Sequence, residues 1–130
     1  MSINWQTLRT AQDIVNEYKQ SQAQWLNTER DRLINAGITH NGHQFQTREK
    51  DVADLMGVIQ VAQLTPNLTT RWLTENNTEV EMNLQQLQAL GIAVAQHKTH
   101  LVYRCRQHKD AIAALTTKEA VDNYISNISW

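Results

Sequence analysis

The chain has 130 residues, of which 41% are hydrophobic and 19% charged, enough apolar matter for a core and too little charge for an intrinsically disordered segment. Twelve Lys and Arg against thirteen Asp and Glu leave a net charge of -1, so the basic excess that draws proteins to phosphate is missing and no nucleic acid partner is expected. No apolar run approaches the roughly 20 residues of a membrane span, the start Met1-Ser2-Ile3-Asn4-Trp5-Gln6 lacks the parts of a signal peptide, and the lone Cys105 suits a reducing compartment.

These limits lead to a single domain over 1–130 of the α+β class, with long amphipathic helices packed with two short antiparallel β-hairpins. Residues 1–36 read as an N-terminal long helix: from Trp5 to about Ala36, Leu8, Ala11, Val15, Tyr18, Trp25 and Leu33 recur at helical spacing, and Ile14 and Leu26 widen the stripe. Gln22 and Glu29 share that stripe, which suits a partly solvated or oligomeric seam. Gly37 ends the helix as a C-terminal cap.

Residues 37–115 read as hairpin, helix, hairpin and long helix. In Ile38–Phe45 the Asn41-Gly42 pair supplies the two positive φ angles of a type I′ turn, which sets Ile38 opposite Phe45 and His40 opposite His43 on one face. Thr47 caps a second helix whose apolar face is Val52, Leu55, Met56, Ile59 and Ala62, and Pro66 forbids its continuation. Thr69–Thr74 and Glu79–Met82 are predicted strands around Glu75-Asn76-Asn77-Thr78. In the simplest register Trp72 faces Glu79 or Glu81 and Leu73 faces Val80, so Trp72 stands among polar neighbours, either as a docking surface or under a covering helix.

Asn83 with Gln86 forms a capping-box pattern, flanked by Met82 and Leu87 at the staple positions. Leu84, Leu87, Leu90, Val94, Leu101, Cys105, Ile112 and Leu115 then keep helical spacing for about thirty residues, roughly 45 Å of helix, interrupted by Lys98 and His108. Residues 116–130 are predicted to form a short helix, boxed by Thr116 and Glu119, and an apolar tail with Ile125, Ile128 and Trp130 that docks on the rest of the chain.

Candidate chemistry is sparse. His97 and His100 share a helix face and His40 and His43 face each other, but neither pair gathers the third and fourth ligands that a zinc site wants, so no metal or cofactor is expected. Cys105 lies between Arg104 and Arg106, which can activate a thiol, yet it sits in the apolar stripe and lacks partners for a triad. No catalytic residue is assigned. The sequons at Asn67, Asn76 and Asn127 are chance matches in a chain rich in Asn and Thr. Residues suited to hold a protein partner are Trp72, Arg71, Glu81, Arg104 and Lys109.

Four stretches in fixed order carry a resemblance: Gly37-Ile38-Thr39-His40-Asn41-Gly42-His43-Gln44-Phe45, then Thr70 to Asn77, then Val80-Glu81-Met82-Asn83-Leu84, then His97 to Leu115 with Arg104, Lys109 and Ile112. Over Gly37 to Leu115 the chain resembles a family of small phage and prophage proteins, a tail-associated domain of unknown function found near tail-fibre genes and in some tail-fibre assembly proteins. The resemblance implies a non-enzymatic interaction protein: a tail-fibre assembly chaperone or accessory factor, or alternatively a structural virion component such as a fibre or baseplate adaptor. Its partner is then a tail-fibre or other tail protein, or a second copy in a homo-oligomer. Its place is the host cytoplasm during phage assembly, or the virion tail.

Overall fold

A computed structural model describes residues 9–130, so the predicted helical stretch from Trp5 to Leu8 lies outside the described residues. The elements run α1 (Ala11–Ile34), β1 (Ile38–His40), β2 (His43–Phe45), α2 (Glu49–Leu64), β3 (Thr70–Leu73), β4 (Glu79–Met82), α3 (Leu84–Ala113) and α4 (Lys118–Ser126). This is the expected α+β class, with two separate two-stranded antiparallel sheets, β1-β2 and β3-β4. Contacts divide the described residues into two compact units: a hairpin unit, Arg30–Tyr103, and a helical unit, the described residues up to Glu29 with Arg104–Trp130. Their boundaries do not follow the segments 1–36, 37–115 and 116–130, because α1 and α3 each contribute residues to both.

In the hairpin unit, Phe45, Leu55, Ile59, Ala62, Met82, Leu87, Leu90 and Val94 form the buried core. Each large side chain so buried contributes roughly 1.5–3 kcal/mol. The first hairpin has the predicted register, Ile38 opposite Phe45 and His40 opposite His43, turning through Asn41 (φ 49) and Gly42 (φ 79). Both imidazoles lie against the Phe45 ring, at 6.4 and 6.2 Å between centroids. Met82 and Leu87 are buried on either side of the α3 cap, where Asn83 and Gln86 exchange reciprocal hydrogen bonds of 2.9 Å. Gly91 brings α3 close to α2: a Cβ there would stand 3.0 Å from Ile59 Cδ1.

Two expectations fail in this unit. Thr47 does not cap α2; the cap position belongs to Arg48, whose backbone N–H donates to Asp51 Oδ2 at 3.1 Å. Thr47 is buried and serves the end of α1 instead, its hydroxyl donating to the Ile34 carbonyl at 2.5 Å and accepting from Gly37 N–H at 3.0 Å. Gly37 turns the chain there with φ +93, a conformation that glycine adopts without strain.

The second correction is the register of hairpin two: Trp72 faces Val80, Arg71 faces Glu81 and Leu73 faces Glu79. Thr74 N–H donates to Thr78 O at 2.9 Å, and Asn77 takes a left-handed φ of 64. The loop is therefore one residue shorter than the four-residue turn, and a one-residue slip exchanges the two faces of a strand. Trp72 packs with Val80 against the core, while Leu73 is turned outward and is 52% exposed.

In the helical unit, Leu26, Cys105, Ile112 and Val121 are buried together, with Tyr18, Tyr124, Ile125, Ile128 and Trp130 packed around them. α1 is capped at Thr10, which exchanges hydrogen bonds with Asp13 at 3.0 and 3.1 Å. Leu26, expected only to widen the stripe, is its one fully buried residue, whereas Trp25 is 41% exposed. A straight helix at 3.6 residues per turn drifts off a 3.5-residue seam, so three turns after Val15 the inward position is 26. Likewise His108 does not interrupt the stripe of α3 but lies buried in it. Thr117, not Thr116, caps α4, accepting from Ala120 N–H at 3.1 Å. The predicted tail docks through Ile128 and Trp130.

Candidate interaction site

The edge of β3 that faces away from β4 borders a cavity of about 310 Å³, lined by Arg71, Trp72 and Leu73 together with Gln46, Asp51, Asp54 and Asn77. Three consecutive strand residues can line one wall only when the wall is the strand's edge, since alternate side chains point to opposite faces. β2 and the turn of the second hairpin are joined by Glu75 N–H donating to Gln44 O at 2.7 Å, so two hairpins and the first turns of α2 frame the site.

Its electrostatics are uneven. Arg48 grips Asp51 through Nε at 2.7 Å and a terminal nitrogen at 3.1 Å, and this hydrogen bonding holds the Asp51 carboxyl below the usual carboxylate range. Arg71 reaches across the outer face of the hairpin to Glu79 at 3.0 Å. Asp54, also exposed, has no hydrogen-bond or ion-pair partner among the described residues.

The structure separates the five residues singled out in the sequence. Arg71 and Glu81 are cross-strand partners on the exposed face, and Trp72 is on the inner face of the same hairpin, reaching the cavity at its edge. Arg104 and Lys109 belong to the helical unit. There Arg104 is bound to the chain's own tail, donating to Ser129 O at 3.0 Å and to Gln107 at 3.0 Å. Lys109 borders a shallow hollow with Lys19 and Gln20, and Lys19 caps the end of α3 by donating to Ala113 O at 3.0 Å. Asp54, Gln46 and Leu73 were not singled out in the sequence. A correct register for hairpin two would have exposed Leu73; the lining by Gln46 and Asp54 depends on tertiary packing that spacing does not report.

A family model described as a domain of unknown function, DUF4376, matches residues 17–126. The chain belongs to that family. The DUF4376 match takes in both hairpins, α2, α3, α4 and most of α1, a wider stretch than the 37–115 segment read from the sequence. No curated protein and no solved structure matches the chain.

Within this DUF4376 domain the histidines are dispersed in role. His97 holds the Leu33 carbonyl at 3.0 Å, while His100 is exposed. His108 contacts the Tyr124 hydroxyl through Nδ1 at 2.7 Å and Ser129 O through Nε2 at 2.8 Å. Among the described residues no three His, Cys, Asp or Glu side chains gather as a metal site would require. The thiol of Cys105 is buried and points at Leu26 O, 3.7 Å away. No described helix is long and apolar enough to cross a membrane.

Proposed function

We propose that this chain is a non-enzymatic interaction protein associated with bacteriophage tails, acting as an assembly chaperone or accessory factor for a tail fibre. The observation that supports this reading is the second hairpin. Its inner face is anchored on the core through Trp72, Val80 and Met82, while Leu73 is held outward beside Arg71, Glu79 and Glu81. A rigidly supported strand that exposes a large apolar side chain within a charged rim has the composition of a protein-binding patch.

Such a factor acts on the fibre during assembly and leaves before the particle is complete. Co-expression with a tail fibre from the same genome is expected to raise the soluble, trimeric fibre several-fold. Unchanged fibre yield on deleting the gene overturns the proposal. Mass spectrometry of purified particles is expected to lack the chain; its presence at fibre stoichiometry points to a structural adaptor and counts against a chaperone.

A further inference from the structure

Among the described residues strand β3 pairs with β4 alone, so one of its edges carries no described strand. The side of each backbone group follows from the register. Thr74 N–H donates to Thr78 O, and hydrogen-bonded and non-bonded pairs alternate along an antiparallel ladder. The bonded pairs are then Trp72 with Val80 and Thr70 with Met82, and Arg71 and Leu73 direct their N–H and C=O groups outward, to the edge that borders the cavity; the next outward amide, Glu75, is already taken by Gln44 O of β2, so the open stretch of the edge is Arg71 to Leu73. Soluble proteins commonly blunt such an edge with charge, proline, a bulge or short length, and here the strand is four residues long with one charge, Arg71, which is held by Glu79. Thr70-Arg71-Trp72-Leu73 has no lysine or proline, and its pairing with β4 runs without a bulge.

Two carboxylates, Asp51 and Asp54, line the same cavity. Asp51 is neutralised by Arg48, but Asp54 has no partner among the described residues, and Trp72 supplies an aromatic surface in the same cavity. A carboxylate beside an indole recognises an arginine or lysine side chain by ion pairing and cation–π attraction.

We propose that the free edge of β3 accepts an extended segment of a partner protein as an added strand, with one basic side chain of that segment seated between Trp72 and Asp54. This deepens the interaction reading above and rests on it. Backbone bonds to Arg71 and Leu73 supply affinity, and the basic side chain supplies selection. A second copy of this chain is a poorer occupant, because its own β3 would place its Trp72 side chain toward its own core and offer only Arg71, which Glu79 already holds.

The test uses the full chain labelled with nitrogen-15 and the peptide acetyl-Thr-Val-Arg-Val-Thr-amide. Saturable shifts of the Arg71 and Leu73 amides and of the Trp72 indole proton are expected at millimolar peptide. Replacing the peptide's arginine by neutral citrulline is expected to weaken binding about fivefold, the range of an exposed ion pair with a cation–π contribution. Asp54→Asn, at an exposed site that leaves the fold intact, should weaken the arginine peptide equally and leave the citrulline peptide unchanged. A fully N-methylated peptide should not bind.

Absence of shifts at Arg71 and Leu73, equal binding of arginine and citrulline peptides, or self-association of the chain through these amides overturns the proposal. Fibre co-expression run in parallel separates the two readings: a fibre rescued equally by wild type and Asp54→Asn, with no peptide binding, defeats the added strand alone. Peptide binding without fibre rescue defeats the fibre assignment alone.

Discussion

His108 donates its Nε2 proton to the carbonyl oxygen of Ser129, 2.8 Å away. A carbonyl only accepts, so Nδ1 is the unprotonated nitrogen and accepts from the Tyr124 hydroxyl at 2.7 Å. Trp130 lies edge-on to the same ring at 5.1 Å, and the neutral imidazole thus pins the end of the chain to α3. Burial holds the His108 pKa below its ordinary 6.5; the bond to Ser129 opposes this, and the charge of Arg104 reinforces it.

As pH falls through 6.5 the unfolded chain takes up this proton first, so the folded state loses stability from there down to its own lower pKa and keeps all of it above. Thermal unfolding followed by circular dichroism should show a midpoint that declines between pH 7.5 and 5.5. His108→Gln, which keeps a neutral donor for Ser129, should flatten that decline. Asp13 and Asp51 titrate below the usual carboxylate range, so their losses come at more acid pH and do not overlap. An unaltered slope in the Gln variant refutes the assignment.

Gly37 and Gly42 both have positive φ, +93 and +79, but their surroundings differ. A Cβ at Gly37 would lie 2.6 Å from the backbone oxygen of Phe45, and at Gly42 nothing lies within 4 Å. Gly42→Ala is expected to cost about 1 kcal/mol from conformation alone, and Gly37→Ala clearly more, about 2–3 kcal/mol or beyond. Urea titration of the two variants compares them directly, and equal losses contradict the close approach.

Leu26→Ala is expected to cost about 2–5 kcal/mol, the range for a core leucine, because it is wholly buried with Cys105, Ile112 and Val121. Trp25→Ala, one position away and partly exposed, should cost less, about 1 kcal/mol. The larger residue thus matters less. Reversed magnitudes in chemical unfolding show that the inward face of α1 is centred on the seam through Trp25.

Thr47→Val keeps the shape of the side chain and removes the hydroxyl that joins Ile34 O to Gly37 N–H. Two main-chain groups lose their partner at a buried position, at a cost of about 1–3 kcal/mol. Hydrogen exchange should quicken at the Gly37 amide while the Arg48 amide, held by Asp51, keeps its protection. Faster exchange at Arg48 instead restores Thr47 to the role of helix cap.

Local chemistry was legible wherever a single residue pair decides the geometry. Asn41-Gly42 dictates one turn and hence one register, and Asn83 with Gln86 marks the start of α3. Where two neighbours offer the same chemistry, spacing does not choose between them: Thr116 and Thr117 can both cap α4, and Thr47 and Arg48 both precede α2. Hairpin two hides its register in Asn77, since Glu75-Asn76-Asn77-Thr78 supports loops of either length until the left-handed residue is known. That choice decides which of Trp72 and Leu73 is outward, and so the candidate site was only half visible. His108 read as a break in a stripe because a lone polar residue gives no sign of the carbonyl and hydroxyl that satisfy it.

The enclosure of Cys105 against Leu26 makes the chain's sole sulfhydryl a clock. An alkylating reagent reaches it only during moments when α1 and α3 part there, so the labelling rate counts those openings without any probe being attached. Storage in air should leave the native protein reduced, and a sample that dimerises covalently has first come apart.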